Sequence, residues 1–152
     1  MKKIDVLQNI RAAKRAHTEW VEKAKSLVNG LEVKKEQIPL EVTTCSFGKW
    51  FYGDGQILLA FFSEDAISKM DTKHKELHDA YMKIFKIYFP QYTGSFLLKL
   101  FSKRVKLSVH DEDMALNALT ELEEISRELI SYLNIIEKKL NSIDEETFAK
   151  YV

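Results

Sequence analysis

Three histidines and one cysteine are the residues of this sequence whose types and spacing suit metal binding. His17, His74 and His78 each supply an imidazole, and Cys45 supplies the only thiol among the 152 residues. Imidazole and thiolate are ligands that zinc prefers in structural sites, where four protein ligands usually surround the ion. These four residues are therefore candidate ligands of a single zinc ion.

Two of the histidines interrupt apolar stripes that recur at helical spacing. His17 stands in a stripe of the first helical segment, and His74 stands in a stripe of a later one. Apolar residues spaced alternately three and four apart face the core of a bundle, so both imidazoles should be buried. A buried imidazole needs a hydrogen bond or a metal. For either histidine alone, a core histidine hydrogen-bonded to a neighbour remains the alternative to a metal ligand.

The positions of the other two candidates support the metal interpretation. His74 and His78 lie four apart, so a helix places their Cβ atoms about 5–6 Å apart on one face, although pairs of surface histidines give the same pattern. Cys45 precedes a short aromatic segment, where the positive end of a helix favours a thiolate. A free cysteine is nevertheless often only a small buried apolar residue. Asp71 or Asp79 could orient a histidine ligand by a hydrogen bond.

The hydrophobic pattern predicts an all-α fold, an antiparallel four-helix bundle with additional short helices. With only 5 Gly and 2 Pro, the chain has few helix breakers. The expected elements are a helix ending at Asn29-Gly30, a short helix over 45–52 capped by Thr44, a turn over 56–62, a helix from Glu64 to about Phe89 capped by Ser63, and a helix from about Asp111 to Leu140. Residues 91–109 fit either a short amphipathic helix or an ordered crossover.

Composition and charge limit the class of protein. The 23 basic and 23 acidic residues give a formal net charge of zero, which argues against a general affinity for nucleic acid. No apolar stretch approaches the roughly 20 residues that span a bilayer, and the N-terminal residues lack a secretory signal. We therefore expect a single domain over residues 1–152 and, as the simplest interpretation, a cytoplasmic location.

Three short motifs follow one another in the first half of the chain. They are His17–Trp20 (HTEW), Cys45–Trp50 (CSFGKW) and His74–His78 (HKELH). Their order and pattern, His-x-x-Trp, Cys-x-(aromatic or aliphatic)-Gly-x-Trp and His-x-x-x-His, resemble the chemoreceptor zinc-binding domain family, called CZB. The resemblance covers roughly residues 10–85.

The resemblance implies a helical bundle with a His3Cys zinc site. By their places in the motifs, the ligands would be His17, Cys45, His74 and His78. It also implies that Trp20 and Trp50 pack around the site and that Gly48 permits a close helix approach. Family members serve bacterial cytoplasmic signalling, usually as homodimers, either attached to chemoreceptors or diguanylate cyclases or standing alone. Some are proposed to sense zinc or hypochlorous acid through the cysteine.

We therefore expect a standalone, non-enzymatic sensor with Zn²⁺ as its cofactor. It would respond to zinc or to oxidation of Cys45 and would regulate a chemotaxis or cyclic-di-GMP partner, such as a chemoreceptor or a diguanylate cyclase. Because Cys45 alone lies on the short element bounded by glycines, we hypothesise that zinc occupancy or oxidation moves the 45–52 helix. The alternative is a zinc-stabilised protein-interaction adaptor without a sensory role, for which the apolar run 96–101 is a candidate docking segment.

Other helical metal proteins and enzymes fit less well. Four histidines are too few for a hemerythrin-like di-iron site, and the repeated Glu-x-x-His of ferritin-like enzymes is absent. Four protein ligands leave zinc no open position for hydrolysis. A cysteine hydrolase would need a group that orients the histidine, and none is evident. His110, the fourth histidine, is expected at the surface near the start of the last helix.

Overall fold

The computed structural model describes residues 1–31, 33, 41–91 and 104–151, and these residues form helices joined by turns. No strand occurs among them, so the prediction of an all-α fold is confirmed. The helices are α1 (Lys3–Val28), α2 (Ser46–Phe51), a 3-10 helix (Asp54–Ala60), α3 (Glu64–Tyr88), α4 (Val109–Ser142) and α5 (Glu145–Ala149). The apolar run 96–101, the candidate docking segment, lies outside the described residues.

Ion pairs show the directions of the three long helices. Lys14 pairs with Glu137 and Lys25 pairs with Glu123, so α1 and α4 run in opposite directions. The ion pairs between α3 and α4 follow the same antiparallel order. Helices α1 and α3 are therefore parallel to each other.

The short elements pack against the long helices. Helix α4 packs against both α1 and α3, while α2 packs on α1 and the 3-10 helix contacts α2 and α3. The helical bundle with additional short helices is as predicted. Among the described residues it has three long helices in place of the expected four, and α4 runs antiparallel to both α1 and α3. The site-bearing α2 thus lies between two long helices that α4 holds in place.

The cap of α2 differs from the prediction. Thr44 does not cap this helix, because its hydroxyl donates a hydrogen bond of 2.8 Å to the backbone oxygen of Glu41. Cys45 itself has an extended backbone and accepts the N–H of Gly48 on its Sγ at 3.1 Å. The thiol therefore lies directly at the helix N-terminus.

The core of the bundle is apolar and continuous. The apolar stripes predicted from the sequence face inward, and burying a large aliphatic or aromatic side chain contributes about 1.5–3 kcal/mol. The largest fully buried side chains are those of Tyr81, Phe85, Phe148, Ile10, Leu58, Met70, Leu77, Ile84, Leu122, Leu129 and Leu133. None of the described helices combines the length and the apolar character needed to cross a lipid bilayer.

Candidate metal centre

The four candidate ligands come from three helices and meet in the core. One donor atom from each of His17, Cys45, His74 and His78 lies within 4.8 Å of the donor atoms of the other three. Each of these residues is at most 2% exposed. The structure therefore brings together, away from bulk water, all four residues singled out in the sequence.

Helical spacing explains how the histidines converge. His74 and His78 stand one turn apart on the inner face of α3, with ring centroids 4.9 Å apart. His17 faces them from the parallel helix α1, with its ring centroid 5.0 Å from that of His74. Cys45 completes the group from the N-terminus of α2. The cluster thus joins elements that are distant in sequence.

His17 is held in a single orientation by the backbone of its own helix. Its Nδ1 donates a hydrogen bond of 2.7 Å to the Ala13 carbonyl, one turn earlier. That bond fixes the tautomer and leaves the lone pair on Nε2. Nε2 is buried and has no hydrogen-bond partner in the part of the chain that the structure describes. A buried nitrogen without a partner is unfavourable, and a metal ion would satisfy it.

The distance between Cys45 and His74 also fits a zinc site. Cys45 Sγ lies 3.3 Å from His74 Nε2. Tetrahedral zinc, with Zn–N near 2.0–2.1 Å and Zn–S near 2.3 Å, places its ligand atoms about 3.3–3.6 Å apart. The wider limit of 4.8 Å for the whole set requires only small shifts of the side chains to close around an ion.

Burial keeps the imidazoles of His17 and His74 neutral. It lowers the pKa of His17 to about 4, although the hydrogen bond to Ala13 opposes the change. Burial also holds the pKa of His74 far below its usual range, and the neighbouring His17 and His78 add to the effect. Near neutral pH the lone pairs of His17 and His74 are therefore available, as metal binding requires.

The Cys45 thiol experiences two opposing influences. Burial raises its pKa, whereas the N–H groups of Gly48 and Phe47 and the charge of Lys49 lower it. The helix N-terminus therefore favours the thiolate as predicted, but burial is the larger effect. A metal bound here would have to displace the thiol proton, which makes its affinity dependent on pH.

Two aromatic side chains enclose the imidazoles. Trp20 packs edge-on against His17 and His78, with centroids 5.0 and 4.8 Å apart. This contact confirms the packing role predicted for Trp20. Phe47 packs in the same way against His17 and His74, at 5.8 and 4.9 Å. Sequence reasoning missed this contact, although the position of Phe47 two residues after Cys45 was a usable signal.

Gly48 packs near the start of α2, and Trp50 packs near its end. The Trp50 ring lies 5.9 Å from that of Phe47 and against Gly55, so it packs one layer outside the imidazoles. A Cβ on Gly48 would lie 1.9 Å from the backbone oxygen of Val42. Gly48 does permit a close approach, as predicted, but its neighbour is the turn before α2 and not a long helix.

The acidic residues considered as orienting groups have other places. Asp71 accepts a hydrogen bond from Tyr52 and pairs with Lys75, so its two oxygens are engaged away from the ligands, and that prediction is wrong. Asp79 is exposed. His110 is exposed in the first turn of α4 and lies outside the cluster, as expected.

Comparison with known proteins gives one match. Residues 17–85 match the family model of the chemoreceptor zinc-binding domain, CZB, a span that begins at His17 and contains all four clustered residues. No curated protein and no solved structure gives a significant match. The resemblance found in the motifs is therefore confirmed over this span.

Proposed function

We propose that the chemoreceptor zinc-binding domain formed by residues 17–85 holds one zinc ion as part of a bacterial sensor or regulatory protein. The proposed ligands are His17, Cys45, His74 and His78. The observation that carries the proposal is the buried cluster itself, in which three imidazoles and one thiol approach within 4.8 Å. Without an ion, the buried Nε2 of His17 has no hydrogen-bond partner among the described residues.

Zinc is the metal that this donor set favours, and its role would be regulatory. Thiolate and imidazole are typical zinc ligands, and four protein ligands close the tetrahedral coordination sphere. Zinc hydrolases instead keep one position open for water. The matched family is likewise regulatory, with no known catalytic activity. We therefore propose a protein that signals without catalysis.

Cys45 is the ligand best placed to transmit a change. The three histidines stand on long helices, whereas Cys45 caps a helix of six residues. Release of zinc would remove one attachment of α2. So would two-electron oxidation of the thiolate to a sulfenic acid, with the peroxide or hypohalous acid reduced to water or halide. Movement of α2 would be the signal.

The output, assembly and location follow from the family resemblance. We propose a homodimer in the cytoplasm, with residues 1–152 forming one domain, that regulates a signalling partner of the chemoreceptor or diguanylate cyclase type. A reducing compartment keeps the Cys45 thiol available as a ligand, which supports the cytoplasmic location. The second candidate is a zinc-stabilised adaptor without a sensory role, in which the ion only holds the bundle together.

Metal analysis tests the site. Protein purified without added metal should contain one zinc per chain, and Cys45→Ala and His74→Ala should contain much less. His110→Ala is the matched control, because this exposed histidine lies outside the cluster, and it should retain zinc. Equal zinc in wild type and Cys45→Ala, or none in wild type, would disprove the four-ligand site.

Hydrogen exchange distinguishes the sensor from the adaptor. If zinc is regulatory, its removal should speed amide exchange in α2 and the adjoining turn while the centres of α1 and α3 stay protected. Unchanged exchange over residues 43–55 would exclude local movement. Loss of protection throughout the bundle would favour the adaptor, whose zinc has only a structural role.

A further inference from the structure

A pocket leads from the surface to the candidate metal centre. It lies between α1 and the start of α2 and has a volume of about 390 Å³. Its lining includes the exposed residues Ala12, Glu19 and Ser46. Its lining also includes the buried residues His17, Trp20, Cys45 and Phe47. The pocket has an exposed rim and reaches two of the candidate ligands, His17 and Cys45, which are themselves at most 2% exposed.

The pocket exists because α1 carries small side chains where it passes the start of α2. Ala12 and Ala16 are one turn apart on the same ridge of α1, and both line the pocket. Ala12 is exposed and Ala16 is half-buried, so neither side chain contributes much to the core. Larger residues at these two positions would fill the space above His17 and Cys45.

The floor of the pocket presents chemistry that can receive an ion. His17 Nε2 is buried and has no hydrogen-bond partner among the described residues, and His17 Nδ1 is already bound to Ala13. Cys45 Sγ accepts the N–H of Gly48 at 3.1 Å and lies 3.3 Å from His74 Nε2. His17 and Cys45 are the two candidate ligands that line the pocket, whereas His74 and His78 are not among its lining residues.

We propose that this pocket is the portal through which zinc and small thiol-directed reagents reach Cys45, and that Ala12 and Ala16 set the rate of that passage. The part of this proposal that concerns zinc rests on the function proposed above, because zinc would enter and leave the same site. It adds that loading and release occur through the native bundle and need no unfolding. The size of the side chains at positions 12 and 16 then controls how fast the site responds, without changing its ligands.

The test uses the full chain with leucine at the portal. Leucine and alanine are both good helix formers, and position 12 is exposed, so Ala12→Leu should fold. Ala16→Leu and the double variant fill the pocket further. Ala66→Leu makes the same change at a half-buried position in the first turn of α3, away from the pocket, and is the control.

Two rates are measured. The first is labelling of metal-free protein with N-ethylmaleimide, in which the Cys45 thiolate adds across the maleimide double bond and the adjacent carbon takes up a proton. Cys45 is the only cysteine, so the label reports this site alone. The second is release of zinc from the loaded protein to an excess of chelator. We expect the double variant to slow both rates about tenfold or more with unchanged zinc content, and Ala66→Leu to slow neither.

A comparison of reagents on the wild type keeps the test independent of the variants. For each reagent, the labelling rate of Cys45 is divided by the rate for free cysteine. If the pocket is a portal, this relative rate should be much lower for a maleimide attached to a long polyethylene glycol chain than for N-ethylmaleimide. Equal relative rates, or unchanged labelling in the double variant, would overturn the portal, because the thiol would then react only after unfolding. Labelling uses metal-free protein, so its outcome does not depend on zinc. If the wild type binds no zinc, the proposed function is wrong, but the labelling result still tests the portal.

Discussion

The Tyr52 hydroxyl donates a hydrogen bond of 2.7 Å to Asp71 Oδ1, and this bond joins the end of α2 to α3. The other oxygen of Asp71 lies 2.6 Å from Lys75 Nζ. Cys45 lies at the opposite end of α2. The short helix is therefore attached at two points, one at the candidate metal centre and one at this hydrogen bond, which can serve as a pivot when the first is released.

Removing the Tyr52 hydroxyl should loosen α2. In Tyr52→Phe, the loss of one partly exposed hydrogen bond should lower the free energy of unfolding by about 0.5–1.5 kcal/mol. Amide exchange over residues 46–51 should become faster, and zinc should bind more weakly because Cys45 is less well positioned. Tyr151→Phe is the control, since Tyr151 is exposed and distant in the sequence. If exchange in α2 is the same in both variants and the wild type, the pivot has no role.

A methyl group at position 48 should displace α2 from the turn that precedes it. The Cβ of Gly48→Ala would lie 1.9 Å from the Val42 oxygen, and backbone must move to relieve that contact. Overpacking of this kind costs about 1–3 kcal/mol, and the shift moves Cys45 away from His74. We expect lower stability and lower zinc affinity, measured by urea unfolding and chelator competition. Ser46→Ala, an exposed change in the same helix, should affect neither, and wild-type zinc affinity in Gly48→Ala would contradict this account.

Metal removal should destabilise the bundle. An ion that binds only the folded state at about a thousand times its dissociation constant stabilises by about 4 kcal/mol. Wild type with zinc should therefore unfold at clearly higher urea than the chelator-treated protein. His17→Ala should show a much smaller difference, and His110→Ala should behave like the wild type. Identical unfolding curves with and without zinc in the wild type would show that the cluster does not bind the ion.

Local patterns were sufficient to predict the long helices and the burial of His17 and His74. Apolar stripes at helical spacing and a serine cap placed the start of α3, where Ser63 accepts the N–H of Ala66. His17 and His74 stood out because they interrupt those stripes. Their burial follows from the same periodicity, whereas joining them with Cys45 and His78 in one site depended on the resemblance to the CZB motifs.

Features that depend on packing between distant segments could not be predicted in this way. Thr44 is a better N-cap residue than cysteine by intrinsic preference, so the sequence favoured the wrong cap. Cys45 caps α2 because tertiary packing places its Sγ beside both the Gly48 N–H and His74. The contacts of Phe47 and the pocket beside Ala12 likewise arise only when α1, α2 and α3 meet.

The last prediction concerns the ion pairs that join α1 to α4. Glu137 accepts a hydrogen bond of 2.6 Å from Arg11 Nε and pairs with Lys14, and its side chain is 17% exposed. Lys14 and then Arg11 hold the pKa of Glu137 below its ordinary value of 4.5. A carboxylate whose pKa is lowered by folding stabilises the protein above its unfolded-state pKa, and that contribution is lost as the pH falls through the folded-state pKa.

Glu137→Gln should therefore lower the free energy of unfolding at neutral pH by about 1–2 kcal/mol, because two charge-assisted contacts are weakened. The difference from the wild type should shrink as the pH falls from 4.5 through the lower pKa of the folded state, where Glu137 becomes protonated in the folded wild type. Urea unfolding at a series of pH values measures the difference. Glu124→Gln is the control, because Glu124 is 64% exposed and lies 4.0 Å from its partner Arg127. A difference that stays constant with pH, or an equal effect of Glu124→Gln, would show that charge pairing at Glu137 does not stabilise the contact between α1 and α4.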